Sequence, residues 1–282
     1  MKKFLQLLCI VIIALIHAQN TATRFFYELT YRPNRDSAKL EKELMVLDID
    51  KNQSVYQSYE FIRTDSLANI MVTKMMKTGL SNDFSMMGKS GNAKFIHQVV
   101  KNFPVEEILY KEQIFMDYYS YRENPGLTWQ ISDQKQKVGP YSTQKATTDF
   151  GGRKWTAWFS TEIPFQDGPY KFYGLPGLIV KIEDEGKNYS WELKGNKQIE
   201  NIQQTLYMED LIKKTGLSKG TEISKEKFLE KYEQYKKDPL GSMKQMFGQV
   251  SSDGFSLSKE MRQAEKSMKE EFNKNNNSIE LL

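Results

Sequence analysis

The chain has 282 residues, 39% of them hydrophobic and 12% aromatic, with 17 glycines and 8 prolines. That composition excludes a disordered or collagen-like polymer and suits one sizeable core. Its 40 basic and 36 acidic residues leave a formal net charge of only +4, with the two signs interleaved along the chain, which excludes a dedicated nucleic-acid surface.

Residues 1–18 read as a secretory signal peptide. Lys2 and Lys3 precede an apolar run from Phe4 to Ile16 broken only by Gln6, and Ala18 supplies a small residue for cleavage before Gln19. The run is well short of the roughly 20 residues that span a bilayer, so the mature chain is expected to carry no transmembrane segment. Cys9 is followed by more of the apolar run, so it belongs to the signal and is not a lipidation site. Cleavage removes Cys9 and His17, and His97 becomes the one remaining histidine. Disulfides, zinc–cysteine sites and cysteine nucleophiles are thereby excluded, and neither a metal nor a cofactor is expected. His97 itself sits in an alternating run, Lys94-Phe95-Ile96-His97-Gln98-Val99-Val100, which reads as an ordinary strand.

Period-two patterns dominate the next part of the chain. In 24–32 the odd positions Phe25, Tyr27, Leu29 and Tyr31 alternate with mostly polar residues, the signature of a half-buried strand. Similar runs cover 44–50, 55–61, 94–103, 108–121, 127–132, 153–160, 178–183 and 189–194. Short connections between most of them predict an antiparallel sheet. The clearest hairpin joins the last two runs across 184–188, with Gly186 in the turn. One helix interrupts the strands: Asp65 is placed as its N-cap, Leu67, Ile70, Met71 and Met75 as its apolar stripe, and Gly79 as its end.

Beyond residue 205 the texture becomes helical. Ser224 caps a segment with Phe228, Leu229, Tyr232 and Tyr235 on one stripe, stopped by Pro239. A second helix from about Ser258 carries Met261, Ala264, Met268 and Phe272, with Glu265–Lys269 and Lys266–Glu270 pairs at helical spacing. Asn273 to Asn277 reads as a frayed end. The expected organisation is a signal peptide (1–18), an antiparallel β-rich domain (19–204) and a helical extension packed on the sheet (205–282). The fold class is α+β, mainly a curved antiparallel sheet.

The most specific signal lies in 129–193. It contains Gly174-Leu175-Pro176-Gly177-Leu178-Ile179, the upstream Gly168-Pro169-Tyr170-Lys171-Phe172, the run Lys145-Ala146-Thr147, and Gly152-Arg153 leading into Ala157-Trp158-Phe159. This stretch closely resembles the GLPGLI family of secreted Bacteroidota proteins, which is defined by its motif and its export and implies no activity or ligand set. An aromatic first strand, Asp65-Ser66-Leu67 and a short Ile279-Glu280-Leu281 tail extend the resemblance more loosely. Two positions depart from it: Ser142 stands where many members have cysteine, and Ser278 where many have proline. No redox role is carried over. Asp36-Ser37-Ala38 and Asp65-Ser66-Leu67 also resemble the short acceptor pattern for O-glycosylation of such exported proteins, with Ser37 the better placed of the two acceptors.

Physically, Pro176-Gly177 suits the central pair of a type II turn, launching the strand at Leu178 and Ile179. Gly168-Pro169 makes a second corner, so 170–173 is clamped between turns. Arg153, Gly168, Pro169, Gly174, Leu175, Pro176, Gly177, Leu178 and Ile179 therefore read as structural. Glu162 and Asp167 flank the clamped segment and are the candidate carboxylate pair for a hydrolase, although two acids five positions apart in a loop are commonplace, and solvated turn acids, or acids paired with Arg153 and Lys171 to hold the corner, are the favoured reading. Trp158 falls opposite Trp155 and Phe159 on its strand, and with Trp129 and Tyr173 it marks a candidate apolar ligand site. The expected function is a non-catalytic envelope binding module for an apolar small molecule, a lipid or an envelope protein, resembling in outline the half-barrel lipoprotein carriers. The alternatives are a structural or interaction protein of the outer-membrane side, or the hydrolase.

Overall fold

Alternating aromatic and polar residues build the centre of the molecule. The computed structural model of the chain describes residues 21–78, 93–115, 117–214, 216, 220–241, 244 and 259–281. Strand β1 (Ala22–Tyr31) buries Phe25, Tyr27, Leu29 and Tyr31, as the alternation predicts. It pairs antiparallel on one side with β2 (Glu41–Ile49). From there the sheet continues through β3 (Gln53–Ser58), β4 (Gln98–Asn102), β5 (Ile108–Ile114) and β6 (Asp117–Glu123), each beside its predecessor.

A second meander runs through β7 (Gln130–Val138), β8 (Tyr141–Phe150), β9 (Arg153–Ser160), β10 (Leu178–Asp184) and β11 (Tyr189–Ile199). Its last strand, β11, pairs with the first strand of the other meander, β1. The two-residue strand β12 (Thr221–Glu222) adds to β6 in parallel. The result is one curved, unclosed and almost wholly antiparallel sheet of twelve strands, with β12 and β7 at its edges.

One face of the sheet carries the core. Tyr27, Leu29, Met45, Leu47, Tyr56, Trp155 and Trp191 are all buried there. Helix α1 (Tyr59–Thr78) lies against the other face, with Tyr59 edge-on to Phe26 at 5.8 Å. Helix α2 (Tyr207–Lys214) packs on α1. Helix α3 (Lys225–Lys237) places Phe228 on Tyr121 and Tyr110 at the core face, with ring centroids 5.2 and 5.7 Å away. Helix α4 (Lys259–Lys274) sets Phe272 against Tyr235 at 5.3 Å.

Several boundaries differ from the sequence reading. Helix α1 starts at Tyr59, and the Ser58 hydroxyl accepts the Phe61 N–H at 3.2 Å. Asp65 is therefore inside the helix. It still caps a helix, but a distant one: its carboxylate accepts the first-turn N–H groups of Tyr207 and Met208 at 2.7 and 2.9 Å, and the Gln203 side chain at 3.1 Å. A local signature was satisfied by tertiary geometry. The expected end at Gly79 lies outside the described residues, as do 1–18. The run 108–121 splits at Phe115, whose φ of +58° turns the chain. The strand expected over 127–132 begins at Gln130 and continues to Val138. Strand β8 was not anticipated: its buried positions are mostly small or polar, Thr143, Ala146 and Thr148 before Phe150, so alternation in hydrophobicity was weak. The Ser224 cap is as expected, accepting the Lys227 N–H.

Candidate functional site

The segment joining β9 to β10 crosses the core face and fills it. Phe165 meets Phe25 at 5.7 Å, Phe172 meets Trp155 at 4.9 Å, and Tyr170 stacks on Trp191 at 6.3 Å with 9° between planes. Two glycines allow this close approach. A Cβ on Gly168 would lie 2.6 Å from Ile179 Cδ1, and one on Gly177 would lie 2.2 Å from the Ser160 carbonyl oxygen. The expected type II turn is not formed. The Gly177 N–H donates to the Leu175 carbonyl at 2.7 Å, a three-residue turn about Pro176, and the Leu178 N–H goes instead to Ile163 O at 3.1 Å. Gly177 has φ +154°, so the requirement for glycine rests on steric contact with β9 as much as on turn type.

Two buried lysines anchor this segment. Lys101 on β4 is fully buried, ion-paired with the equally buried Asp167, and also donates to Gly168 O at 2.8 Å and Phe172 O at 3.3 Å. Burial lowers the Lys101 pKa, and Asp167 opposes that shift. Lys171 is also fully buried. It pairs with Glu123 and Glu280, donates to the Tyr121 hydroxyl at 3.0 Å, and lies 4.8 Å from the Tyr110 ring centroid. Lys225 completes the cluster, reaching Glu123 Oε2 at 2.6 Å and Glu280 Oε2 at 2.8 Å. Burial would raise the Glu280 pKa, but the two lysines outweigh it and hold the carboxyl at about 2. Arg153 is a further buried cation, outside this cluster. Its guanidinium pairs with Asp184 at 2.9 Å and reaches Ile279 O, Ser278 O and Asn277 Oδ1.

His97 precedes β4 as a buried residue among rings, stacked on Tyr110 at 5.3 Å and edge-on to Tyr170 at 5.5 Å. Its Nε2 has no hydrogen-bond partner. Burial, with Lys171 nearby, pushes its pKa down to about 3. Glu112 accepts the Tyr110 hydroxyl at 2.6 Å, and burial raises its pKa to about 7.

The sequence-derived candidates divide accordingly. Glu162 is exposed while Asp167 is sealed against Lys101, so the two acids do not face a common space. Asp167 and Lys171 hold the corner through ion pairs, each with a different partner from the one expected, whereas Arg153 binds Asp184 and residues 277–279 and not the corner. Trp129 and Tyr173 meet, the indole N–H donating to Tyr173 O at 2.8 Å. Trp158 is on the other face of β9, 6% exposed, with Lys145 and Lys181 as its cross-strand neighbours. Asn277, expected in a frayed end, is 5% exposed. Sequence reasoning missed Lys101, Glu123, Asp184 and Lys225, because charged residues in a strand (Lys101), near a strand end (Glu123), at a hairpin turn (Asp184) or in a first helical turn (Lys225) ordinarily read as solvated. Glu280 stands within the tail Ile279-Glu280-Leu281, but nothing local gives it a partner. Among the described residues, no group of three or more His, Cys, Asp or Glu side chains is placed to hold a metal, and no helix is long and apolar enough to cross a membrane.

An open cleft of about 390 Å3 lies over β7 and β8, bordered by Lys135, Lys137, Ser142, Gln144, Phe159 and Thr161. It is separate from the buried charge cluster.

Two solved structures of PNGF-II, in C2 and P21 space groups, are similar to the chain. They share 12% and 11% identity, cover 75% of this chain, and give TM-scores of 0.51 and 0.49. The chain spans about a third of their length, 32% and 33%, and the likeness is one of fold. No curated protein sequence matches the chain. Residues 151–181, from the turn before Arg153 through the motif and into β10, match the family model described as Porph_ging, a protein of unknown function.

Proposed function

We propose that this is an exported cell-envelope protein of the GLPGLI type that works without catalysis, by contact with an envelope protein and not by carrying an apolar ligand. The observation that carries this reading is that the core face of the curved sheet, where a lipid carrier holds its cargo, is occupied by the chain's own Phe165, Tyr170 and Phe172. Tyr170 and Phe172 are 4% and 0% exposed, and displacing them would open the Lys101 and Lys171 ion pairs in a low-dielectric interior. The edge strand β7, by contrast, is exposed over 130–137 and polar apart from Ile131, which suits a protein contact. Export rests on the signal-like 1–18.

The test is native mass spectrometry of protein purified from its own envelope, together with titration of a fluorescent fatty acid. The expected mass is that of the chain from Gln19, bare or with sugar on Ser37, without co-purifying lipid and without saturable probe binding. A stoichiometric lipid, or probe binding weakened by Trp158→Ala, would establish the carrier instead. Recovery of chain still containing Met1 would refute export with cleavage.

A further inference from the structure

Residues 277–281 follow α4 as an irregular segment, bent at Ile279 and Glu280, that lies in a groove built from distant parts of the chain. The backbone of this segment is read directly. Arg153 donates to the carbonyls of Ser278 and Ile279 at 2.7 and 2.9 Å, and the Tyr189 hydroxyl donates to that of Asn277. The Asn277 N–H reaches Pro33 O at 3.1 Å, and the Leu281 N–H reaches Gly151 O at 2.7 Å. Side chains are read at intervals. The Asn277 amide accepts from Arg153 at 2.7 Å and donates to Arg32 O at 2.8 Å. Ile279 is buried, while Ser278 between them is exposed. Glu280 enters a socket of Lys171, Lys225 and the Tyr170 hydroxyl, the last donating at 2.6 Å.

Main-chain bonds combined with pockets for selected side chains are how folded domains recognise peptide segments. The groove is also shaped for one. The turn glycines Gly151 and Gly152 have φ of +58° and +72°, and a Cβ on them would lie 2.8 Å from Glu280 Cγ and 3.0 Å from Leu281 Cβ.

The segment is held by its own contacts and not by the helix that leads into it. No described side chain of α4 is buried, and α4 meets the body through Phe272 on Tyr235 and through surface pairs such as Lys94–Glu271. Without Glu280, the ammonium groups of Lys171 and Lys225 would share the single carboxylate of Glu123. An unfilled socket therefore selects an anionic side chain strongly.

We propose that this groove is a peptide-recognition site for acidic segments of the pattern Asn-x-Ile-Glu, occupied in cis by residues 277–281 and able to take the same sequence in trans. This does not depend on the contact role proposed above, and a lipid found under that test would leave it standing.

The test places a site-specific protease site between Lys274 and Asn275, both exposed, in the otherwise complete chain. After cleavage, native mass spectrometry is expected to show the cut segment still bound. A fluorescein-labelled peptide spanning residues 276–282 should displace it saturably, and its Glu280→Gln version should compete about ten-fold less well or worse, equivalent to about 1.4 kcal/mol. Failure of the labelled peptide to enter the cut protein overturns the proposal, as does equal competition by the Glu280→Gln or a scrambled peptide. If cleavage unfolds the protein, the uncut chain carrying Glu280→Gln is used, with an unchanged circular dichroism spectrum as the control for folding. It must then bind the labelled wild-type peptide, and absence of binding overturns the proposal equally.

Discussion

Lys101 and Asp167 illustrate how little of the buried chemistry is visible in local sequence. Both are completely inaccessible and paired with each other, yet Lys101 sits in an alternating strand where a lysine ordinarily faces water. Removing one partner leaves a buried, unpaired charge. Lys101→Met is expected to cost about 3–5 kcal/mol, whereas the double change Lys101→Met with Asp167→Leu should recover much of that loss. Urea denaturation of the three variants checks this, and an equal loss in single and double mutants would show that the pair is not the relevant unit. Gly177 is the opposite case, since the motif drew attention to it. The reason for glycine is tertiary: the Ser160 carbonyl occupies the space a methyl group would need. Gly177→Ala should destabilise by about 2 kcal/mol or more, and an unchanged denaturation midpoint would remove the steric argument.

At the level of elements, the antiparallel sheet, the β10–β11 hairpin and the Ser224-capped helix were legible because each writes its period and punctuation into consecutive residues. Strand β8 was not, because Thr143, Ala146 and Thr148 fill its buried face without a hydrophobic signal. Asp65 shows the same limit from another side. Its chemistry was read correctly as capping, but the amides it caps belong to α2, more than a hundred residues later. Asp65→Ala is expected to cost about 1–2 kcal/mol and to raise amide hydrogen exchange at Tyr207 and Met208, leaving the start of α1 at Ser58 protected. Exchange that rises at residues 59–62 instead would return the cap to α1.

Across the whole molecule, the buried titratable groups predict a definite response to acid. His97 is held neutral with a pKa near 3 by burial, so the unfolded chain takes up its proton first. The stability tied to that neutral ring is complete above about pH 6.5 and is lost as pH falls toward 3. Glu280, lowered to about 2, adds loss in the same direction below about pH 4.5. Glu112 acts oppositely. Raised to about 7, it favours the fold below about pH 4.5 and costs stability as pH rises through 7. His97→Phe should therefore flatten the acid limb between about pH 6.5 and 3. Glu112→Gln should stabilise at pH 8, on the order of 1–3 kcal/mol, and little at pH 4.5. Denaturation midpoints measured across this range check both, and an acid limb unchanged in His97→Phe would assign it elsewhere.

The sheet is two meanders joined where β1 meets β11, and this arrangement governs the order of events during synthesis. A ribosome has made the first meander in full by residue 123, but its founding strand keeps an open edge until residue 199 exists. The cation at Lys171 acquires its second carboxylate only when residue 280 has been added. A nascent chain thus lacks the β1–β11 seam until residue 199 and the second partner of Lys171 until residue 280, because both contacts join residues far apart in sequence. For a chain exported as proposed here, that delay keeps the polypeptide threadable through a translocation pore until it has passed to the other side.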